Sequence, residues 1–257
     1  MIHDTAQVDG SAELADNVSV GAFSVIGADV KISSGCQIGS HVVIGGPTEI
    51  GEDTKIFPFC SIGDDPQDKK FDPSGTSRLV IGERNTIREY CSINRGTEGG
   101  GGVTRLGSDN LLMAYCHVAH DCQIGNNVIF ANNATLAGHV EIDDFAILGG
   151  FTGVHQFCRM GENSFSAISA VIVKDVPPFV IVDGNTARAR AINRVGLRRR
   201  GFEEAVIVAV KDAFKTVYKK GHSLNDALTL LHENNHGVEQ VQQFREFIES
   251  SQRGIVR

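Results

Sequence analysis

The sequence of 257 residues has no tryptophan, only three tyrosines and only six prolines. It has no apolar run of the roughly 20 residues that a membrane-spanning helix needs, so membrane insertion is not expected. The first residues, Met1 to Asp4, lack a basic stretch followed by an apolar one, and no signal peptide is predicted. No Cys-x-x-Cys pair is present, which disfavours a zinc-thiolate or redox motif. A net charge of −7 with abundant aliphatic residues excludes a disordered chain.

What the sequence does have is an excess of glycine, with 29 residues, and a repeat with a period of six. The glycines have no period of three, so a collagen helix is excluded. Stepping by six from Ile2 reaches an aliphatic residue every time as far as Ile62, and the phase returns at Ile81 and again at Leu106. The fifth position of each hexad is nearly always small, and glycine often follows the aliphatic residue.

A six-residue unit suits a short strand followed by a corner, with one aliphatic and one small side chain facing inward. Glycine near the corner relieves steric crowding. The pattern predicts a β-helix, because strands of an ordinary sandwich would not keep one phase for so long. It resembles the left-handed parallel β-helix of the hexapeptide-repeat acyltransferases, in which three hexads form one coil.

Two segments interrupt the repeat, and we expect them to be loops at residues 64–80 and 98–103 of a β-helix that spans 1–178. The first loop carries charged and amide groups, which favours a binding role. The pair Pro177-Pro178 marks the predicted boundary, and residues 179–257 are expected to form a linker and a small C-terminal α-helical domain. There, an apolar stripe predicts a helix from about Phe202, Ser223 fits the N-cap of a second helix, and a third spans 238–250.

The six cysteines all fall at the small, inward position of a hexad: Cys36, Cys60, Cys91, Cys116, Cys122 and Cys158. We expect them to be buried core residues rather than metal ligands. Free buried thiols are typical of a reducing compartment, so a cytoplasmic location is expected.

The segment from Cys116 to Cys122 places His117, His120 and Asp121 at surface or corner positions. One coil later the same columns reach Gly138 and His139, and the next coil reaches Gln156 beside His155. Three interpretations compete for this cluster. A histidine beside an aspartate is a suitable general base; histidines on adjacent coils can hold zinc; or the imidazoles are merely solvated.

Longer runs of sequence make the resemblance more specific. The runs Gly107–Met113, His117–Asp121, Ala131–Val140 and Val154–Cys158 closely resemble the UDP-N-acetylglucosamine O-acyltransferase family of lipid A biosynthesis, as do Arg198–Phe202 and Arg253–Arg257. The resemblance covers essentially the whole chain. It implies transfer of an (R)-3-hydroxyacyl group from acyl carrier protein to the 3-hydroxyl of UDP-N-acetylglucosamine, with no metal and no cofactor.

The resemblance also assigns roles to residues. It implies that His120 is the general base, that Asp121 holds its imidazole, and that the backbone N–H of Gly138 stabilises the oxyanion. Substrate-binding roles are implied for ten further residues: Gln67, Asp68, Lys70, His117, His139, His155, Gln156, Asn193, Arg199 and Arg200.

Two positions depart from the family pattern or bear on specificity. Val195 stands where many members have glutamate, which puts the nucleotide contacts in question. Ile168 stands where the family sets acyl-chain length, and its branched side chain is expected to favour a shorter acyl chain than glycine does. Neighbouring Phe165 and Ala167 are the alternative determinants of pocket depth.

Charge and resemblance together predict the partners. Six arginines crowd residues 188–200 of an otherwise acidic chain, which suits an anionic partner such as acyl carrier protein better than nucleic acid. The resemblance implies a homotrimer with sites between subunits. The alternatives are the N-acyltransferase later in the same pathway, a zinc-dependent β-helix hydratase and a non-enzymatic solenoid.

Overall fold

A computed structural model describes residues 1–233 and 237–257 of the chain. Its strands form three sheets, in which parallel partners come from successive coils. Sheet 1 contains β1 (Gln7–Val8), β4 (Val25–Ile26), β7 (Val43–Ile44), β10 (Ser61–Asp64), β13 (Ser92–Asn94), β16 (His117–Val118), β19 (Thr135–Leu136), β22 (Gly153–Val154) and β25 (Val171–Ile172).

The other two sheets complete a triangular prism. Sheet 2 contains β2 (Glu13–Leu14), β5 (Val30–Ile32), β8 (Thr48–Ile50), β11 (Arg78–Ile81), β14 (Val103–Leu106), β17 (Gln123–Ile124), β20 (Glu141–Ile142) and β23 (Arg159–Met160). Sheet 3 contains β3 (Ser19–Val20), β6 (Gln37–Ile38), β9 (Lys55–Ile56), β12 (Thr86–Ile87), β15 (Leu111–Leu112), β18 (Ile129–Phe130), β21 (Ile147–Leu148), β24 (Phe165–Ser166), β26 (Val180–Asp183) and β27 (Arg188–Ile192). The predicted left-handed parallel β-helix is confirmed.

The hexad residues occupy the interior as the repeat predicts. Val118 pairs with Leu136, and Leu136 pairs with Val154, so that aliphatic side chains stack in register from coil to coil. All six cysteines are free and buried. The thiols of the five cysteines other than Cys158 donate to carbonyls of the following coil, as Cys122 does to Ala137 at 3.2 Å. The prediction that the cysteines are core residues is therefore confirmed.

Glycine after the aliphatic residue is explained by the approach of neighbouring coils. A Cβ at Gly21 would lie 2.6 Å from the backbone nitrogen of Ser40, and one at Gly51 would lie 2.6 Å from the carbonyl carbon of Gly82. The left-handed backbone conformation falls two residues later, on residues such as Phe23 and His41. Glycine thus provides space at these positions, and other residues adopt the positive φ.

We name the three edges of the prism by the sheets that they join: the 1–2, 2–3 and 3–1 edges. The first insertion leaves the 1–2 edge between β10 and β11, so it spans residues 65–77. The second leaves the same edge between β13 and β14 and contains a short 3-10 helix, Glu98–Gly100. The loops touch, because a Cβ at Gly75 would lie 3.3 Å from the Glu98 carboxylate.

The β-sheet continues beyond the predicted boundary at residue 178. Strand β26 pairs in parallel with β24, and β27 returns antiparallel to β26. Four α-helices are described: α1 (Arg194–Arg199), α2 (Glu204–Tyr218), α3 (Leu224–Glu233) and α4 (Glu239–Glu249). The predicted linker therefore holds two strands and α1, because Pro177-Pro178 lies at a corner leading into β26 rather than at the end of the solenoid.

The helical domain is fixed to the last coil by the C-terminal segment. Ile255 pairs in parallel with Asp175, whose carboxylate accepts hydrogen bonds from the Arg159 N–H at 2.9 Å and from the Ser251 hydroxyl at 2.6 Å. Within the described residues, no helix is both long and apolar enough to cross a bilayer.

Candidate functional site

The 1–2 edge brings together four of the predicted site residues. The chain turns there after β16 and again after β19, which places His120 and Asp121 one coil from Gly138 and His139. The imidazole rings of His120 and His139 meet edge to face with centroids 5.1 Å apart. His139 also stacks on Phe157 of the next coil at 4.5 Å, which fixes the plane of its ring.

Asp121 orients the imidazole of His120. Its Oδ2 lies 2.8 Å from His120 Nδ1, and its side chain is fully buried. A carboxylate only accepts hydrogen bonds, so Nδ1 carries a proton, and in the neutral imidazole Nε2 then presents a lone pair. The side chain of His120 is 17% exposed, and its only hydrogen bond within the described residues is made through Nδ1, which leaves Nε2 without a partner there.

Gly138 lies directly beside this ring. A Cβ at Gly138 would stand 2.6 Å from His120 Cε1 and 2.7 Å from Nε2, so only glycine leaves the ring in its place. Its neighbours Ala137 and His139 donate their N–H groups to the carbonyls of Val154 and His120. Among the described residues, the N–H of Gly138 donates no hydrogen bond. This edge therefore holds a proton acceptor beside a free backbone donor.

The Asp121 carboxylate and the two neighbouring imidazoles are residue types that can also bind a metal ion. The ligand atoms of His120, Asp121 and His139 all lie within 4.8 Å of one another. Asp121 Oδ2 is 3.8 Å from His139 Nε2. Its two oxygens already accept hydrogen bonds from the N–H of Thr97 at 2.9 Å and from the Thr97 hydroxyl at 2.6 Å. The donor set suits zinc in kind, but the carboxylate is already shared by three hydrogen-bond donors.

The remaining predicted histidines surround this centre. His117 lies on β16 and is half-buried, with Nδ1 2.7 Å from the Ser92 hydroxyl. Burial, followed by the nearby His120, lowers the pKa of His117. His155 and Gln156 are exposed on the next coils of the same edge, and His155 Nδ1 lies 3.1 Å from the Gln156 carbonyl.

The first insertion presents its predicted residues to solvent above the same edge. Gln67, Asp68 and Lys70 are all exposed, and Asp68 accepts a hydrogen bond from the Lys70 N–H at 3.0 Å. The loop is anchored from below, because Arg95 pairs with Asp65 at 2.6 Å. The predicted loop residues and the histidines therefore share one edge of the prism.

The predicted nucleotide-binding residues lie on another edge of the same chain. Asn193 is buried, caps α1 by accepting the Gly196 N–H at 3.0 Å, and donates to the carbonyl of Asn163 at 3.0 Å. Arg199 and Arg200 end α1, and the Arg200 guanidinium lies over the Phe145 ring at the 2–3 edge. The single chain does not bring these three residues to His120.

Ile168 belongs to the third edge. It lies in the turn between β24 and β25 and is 70% exposed. The 3–1 edge also carries a ladder of stacked rings, with successive centroids 4.8 to 5.2 Å apart, which we call the aromatic ladder: Phe23, His41, Phe59, Tyr90 and Tyr115.

Carboxylates partly neutralise the basic segment. Arg194 and Arg198 both pair with Glu204, at 2.6 and 2.9 Å, and Arg190 pairs with Asp183. Val195, where the family pattern has glutamate, is 61% exposed on α1.

Several contacts of the site were not predicted. Thr97 donates twice to Asp121, Thr104 accepts the Asp121 N–H at 2.7 Å, and Gly100 packs against Asp121 and His139. A cleft of about 390 Å³ opens beside Asp121 and His139 and is bordered by the C-terminal segment, including Arg253. The only signal in the sequence for the loop contacts was the glycine run at residues 99–102.

Comparisons with known proteins agree with this architecture. Residues 11–46 and 104–138 match the family described as bacterial transferase hexapeptide (six repeats), and residues 175–256 match the family described as UDP-N-acetylglucosamine O-acyltransferase, domain 2. An acyl-[acyl-carrier-protein]–UDP-N-acetylglucosamine O-acyltransferase of Herminiimonas arsenicoxydans is 52% identical, with 100% of this chain and 99% of the relative covered.

Solved structures lead to the same family. LpxA from Acinetobacter baumannii has a TM-score of 0.96 and 42% identity, with 100% of this chain and 99% of that chain covered. A UDP-N-acetylglucosamine acyltransferase from Francisella novicida has a TM-score of 0.97 and 41% identity, with 100% and 94% covered. The chain belongs to the acyl-[acyl-carrier-protein]–UDP-N-acetylglucosamine O-acyltransferase family.

Proposed function

We propose that the protein transfers an (R)-3-hydroxyacyl group from acyl carrier protein to the 3-hydroxyl of UDP-N-acetylglucosamine, as the first step of lipid A biosynthesis. The observation that carries the proposal is the 2.8 Å hydrogen bond between Asp121 and His120 Nδ1, next to the free N–H of Gly138. A thioester needs a deprotonated nucleophile and a donor for the developing oxyanion, and this edge offers both.

In this mechanism His120 Nε2 removes the proton from the sugar hydroxyl as the oxygen attacks the thioester carbon. The C–O bond forms, the carbonyl oxygen becomes an oxyanion, and the N–H of Gly138 stabilises it by a few kcal/mol, roughly. Collapse breaks the C–S bond, and the imidazolium returns its proton to the leaving thiolate. Asp121 stabilises the imidazolium and holds its orientation.

Polar residues around His120 suit the two substrates, UDP-N-acetylglucosamine and the acyl carrier protein, which are both anionic. His139, held by Phe157, and the exposed Gln156 are positioned to bind the sugar, with His117 and His155 beside them. Gln67, Asp68 and Lys70 of the first insertion are proposed to contact the sugar and the 3-hydroxyl of the acyl chain. The thioester is already activated, so the proposed mechanism needs no metal and no cofactor.

The division of the predicted residues among three edges supports a homotrimer with sites between subunits. Arg199, Arg200 and Ile168 lie away from His120, so we propose that a neighbouring copy supplies them. The aromatic ladder favours the 3–1 edge as a contact with a second copy, because Phe23, Phe59, Tyr90 and Tyr115 are each 46% to 59% exposed. A contact between unlike edges closes into a ring when the rotation per subunit allows it.

A charge placed in the ladder tests the assembly. We expect the wild type to have three times the 27.6 kDa mass of the chain in light scattering, and Phe59→Asp to shift it towards the monomer. Val208→Asp, at an exposed apolar position on α2, is the matched control and should remain trimeric. A wild-type monomer with full activity would contradict the shared site.

Partners and location follow from the same proposal. Among the described residues, Arg188, Arg199 and Arg200 form no ion pair with a carboxylate, and together with Lys211 of α2 they favour docking of the acidic acyl carrier protein. The substrates are those of a cytoplasmic enzyme. No nucleic acid is expected to bind.

One assay tests the proposed function. Purified protein is incubated with UDP-N-acetylglucosamine and 3-hydroxyacyl carrier protein, and the product is analysed by mass spectrometry and NMR. We expect an ester at the 3-oxygen. An amide product would favour the N-acyltransferase, and no product, with stoichiometric zinc in the purified protein, would favour the hydratase.

A further inference from the structure

The second insertion contacts the site through the Asp121 carboxylate rather than through the His120 imidazole. Thr97 donates both its N–H and its hydroxyl to Asp121, at 2.9 and 2.6 Å. With His120 Nδ1, these are three donors to one carboxylate whose side chain is fully buried. A buried carboxylate needs such partners, because an unmet acceptor there is costly.

The glycine run shapes the loop that holds Thr97. The carbonyl of Thr97 accepts the N–H groups of Gly100 at 3.0 Å and Gly102 at 2.8 Å, so the loop closes back on Thr97. Gly101 and Gly102 have φ values of 101° and 78°, a region that favours glycine. Every polar backbone and side-chain group of Thr97 is thereby used to hold its place.

Gly100 closes the loop over the carboxylate. A Cβ there would lie 2.1 Å from Asp121 Oδ2 and 2.6 Å from His139 Cε1, whereas a Cβ at the adjacent Gly99 would meet open space. The loop thus packs directly against the Asp121 carboxylate and helps to bury it.

We infer that Thr97 is a positioning residue of the proposed reaction and that the loop of residues 97–102 serves to hold Asp121 against His120 Nδ1. The inference rests on the proposed function, because it concerns the same relay. The loop is proposed to act on the carboxylate and not on the substrate. It sets the direction of the His120 lone pair through the carboxylate.

Substitutions at Thr97 separate this role from a general effect on folding. Thr97→Val removes one donor to Asp121, and we expect kcat to fall about 10-fold with KM for both substrates unchanged. Thr97→Ser keeps the hydroxyl and should recover most of the activity. Thr54→Val is the matched control: Thr54 is fully buried and its hydroxyl donates to Gly82 at 3.2 Å, far along the solenoid. It should lower the melting temperature and leave kcat unchanged.

The adjacent glycines provide an independent pair. Gly100→Ala should lower kcat at least 10-fold, because its Cβ displaces Asp121 and His139. Gly99→Ala should behave as the wild type. Equal activities of these two variants would overturn the inference.

A double-mutant cycle measures whether Thr97 acts through Asp121. If Thr97 acts through Asp121, Thr97→Val should have no further effect on kcat in the Asp121→Ala protein. Losses that multiply would show that Thr97 acts on the substrate or the fold and would overturn the inference. An inactive wild type would instead reject the proposed function, so the two failures are distinguishable.

Discussion

The contact between Gly138 and His120 makes a prediction that can be worked from distances. A Cβ at residue 138 would lie 2.6 Å from His120 Cε1 and 2.7 Å from Nε2, whereas ordinary contact begins near 3.4 Å. The ring must therefore retreat by about 0.8 Å in Gly138→Ala. Displacement of a catalytic group by about 1 Å can cost about 100-fold in rate.

We expect kcat of Gly138→Ala to fall about 100-fold, equivalent to about 2.7 kcal/mol in the activation free energy. The variant keeps its backbone N–H, so the loss reports the displaced imidazole and not a missing oxyanion donor. The φ of Gly138 lies outside the left-handed region, and alanine is tolerated by the backbone. The free energy of unfolding should change by less than about 1 kcal/mol.

The assay is steady-state turnover of hydroxyacyl carrier protein at saturating UDP-N-acetylglucosamine, with urea denaturation of the same samples. Gly10→Ala is the control, because a Cβ there meets nothing within 4 Å. A Gly138→Ala enzyme with wild-type kcat would refute the argument, since the imidazole would then tolerate a displacement of this size.

Two further predictions concern stability and specificity. Burial raises the pKa of Asp143 to about 6, so its charge opposes folding above that pH and the penalty disappears below about pH 4. Asp143→Asn should therefore raise the free energy of unfolding by about 3 kcal/mol at pH 8, because each unit between 3.8 and about 6 corresponds to about 1.4 kcal/mol, and it should have little effect at pH 4. Equal effects in urea titrations at both pH values would contradict this. Ile168→Gly should shift the preferred acyl chain to a longer one in assays with carrier proteins of graded chain length, and an unchanged optimum would favour Phe165 and Ala167 as determinants.

The fold was predictable because every coil repeats the same hexad pattern and packs only on the coils next to it. The aliphatic residue of one hexad, such as Val118, predicts the environment of Leu136 and Val154, since each coil repeats the last. The same register places Gly138 beside His120 before any coordinates are known. The predicted helices of the C-terminal domain also match α2, α3 and α4, where Gly221 and Ser223 mark the termini.

The contacts of the loops were not predictable from the repeat. Thr97 lies in an insertion outside the hexad repeat, so the period of six does not predict its position. Its hydrogen bonds to Asp121 are seen only in the structure. The strands β26 and β27 were missed because the hexad phase ends before them. Asn193 was assigned to ligand binding by resemblance, and the structure additionally gives it the cap of α1.

His120 is proposed as the general base of an acyl transfer to UDP-N-acetylglucosamine. The most direct measurement is kcat of His120→Ala against the wild type with both substrates saturating, together with a melting curve for each protein. We expect an intact fold and a loss in kcat of at least about 100-fold, within the range typical of general-base catalysis. A folded His120→Ala enzyme that forms the ester at the wild-type rate would contradict it.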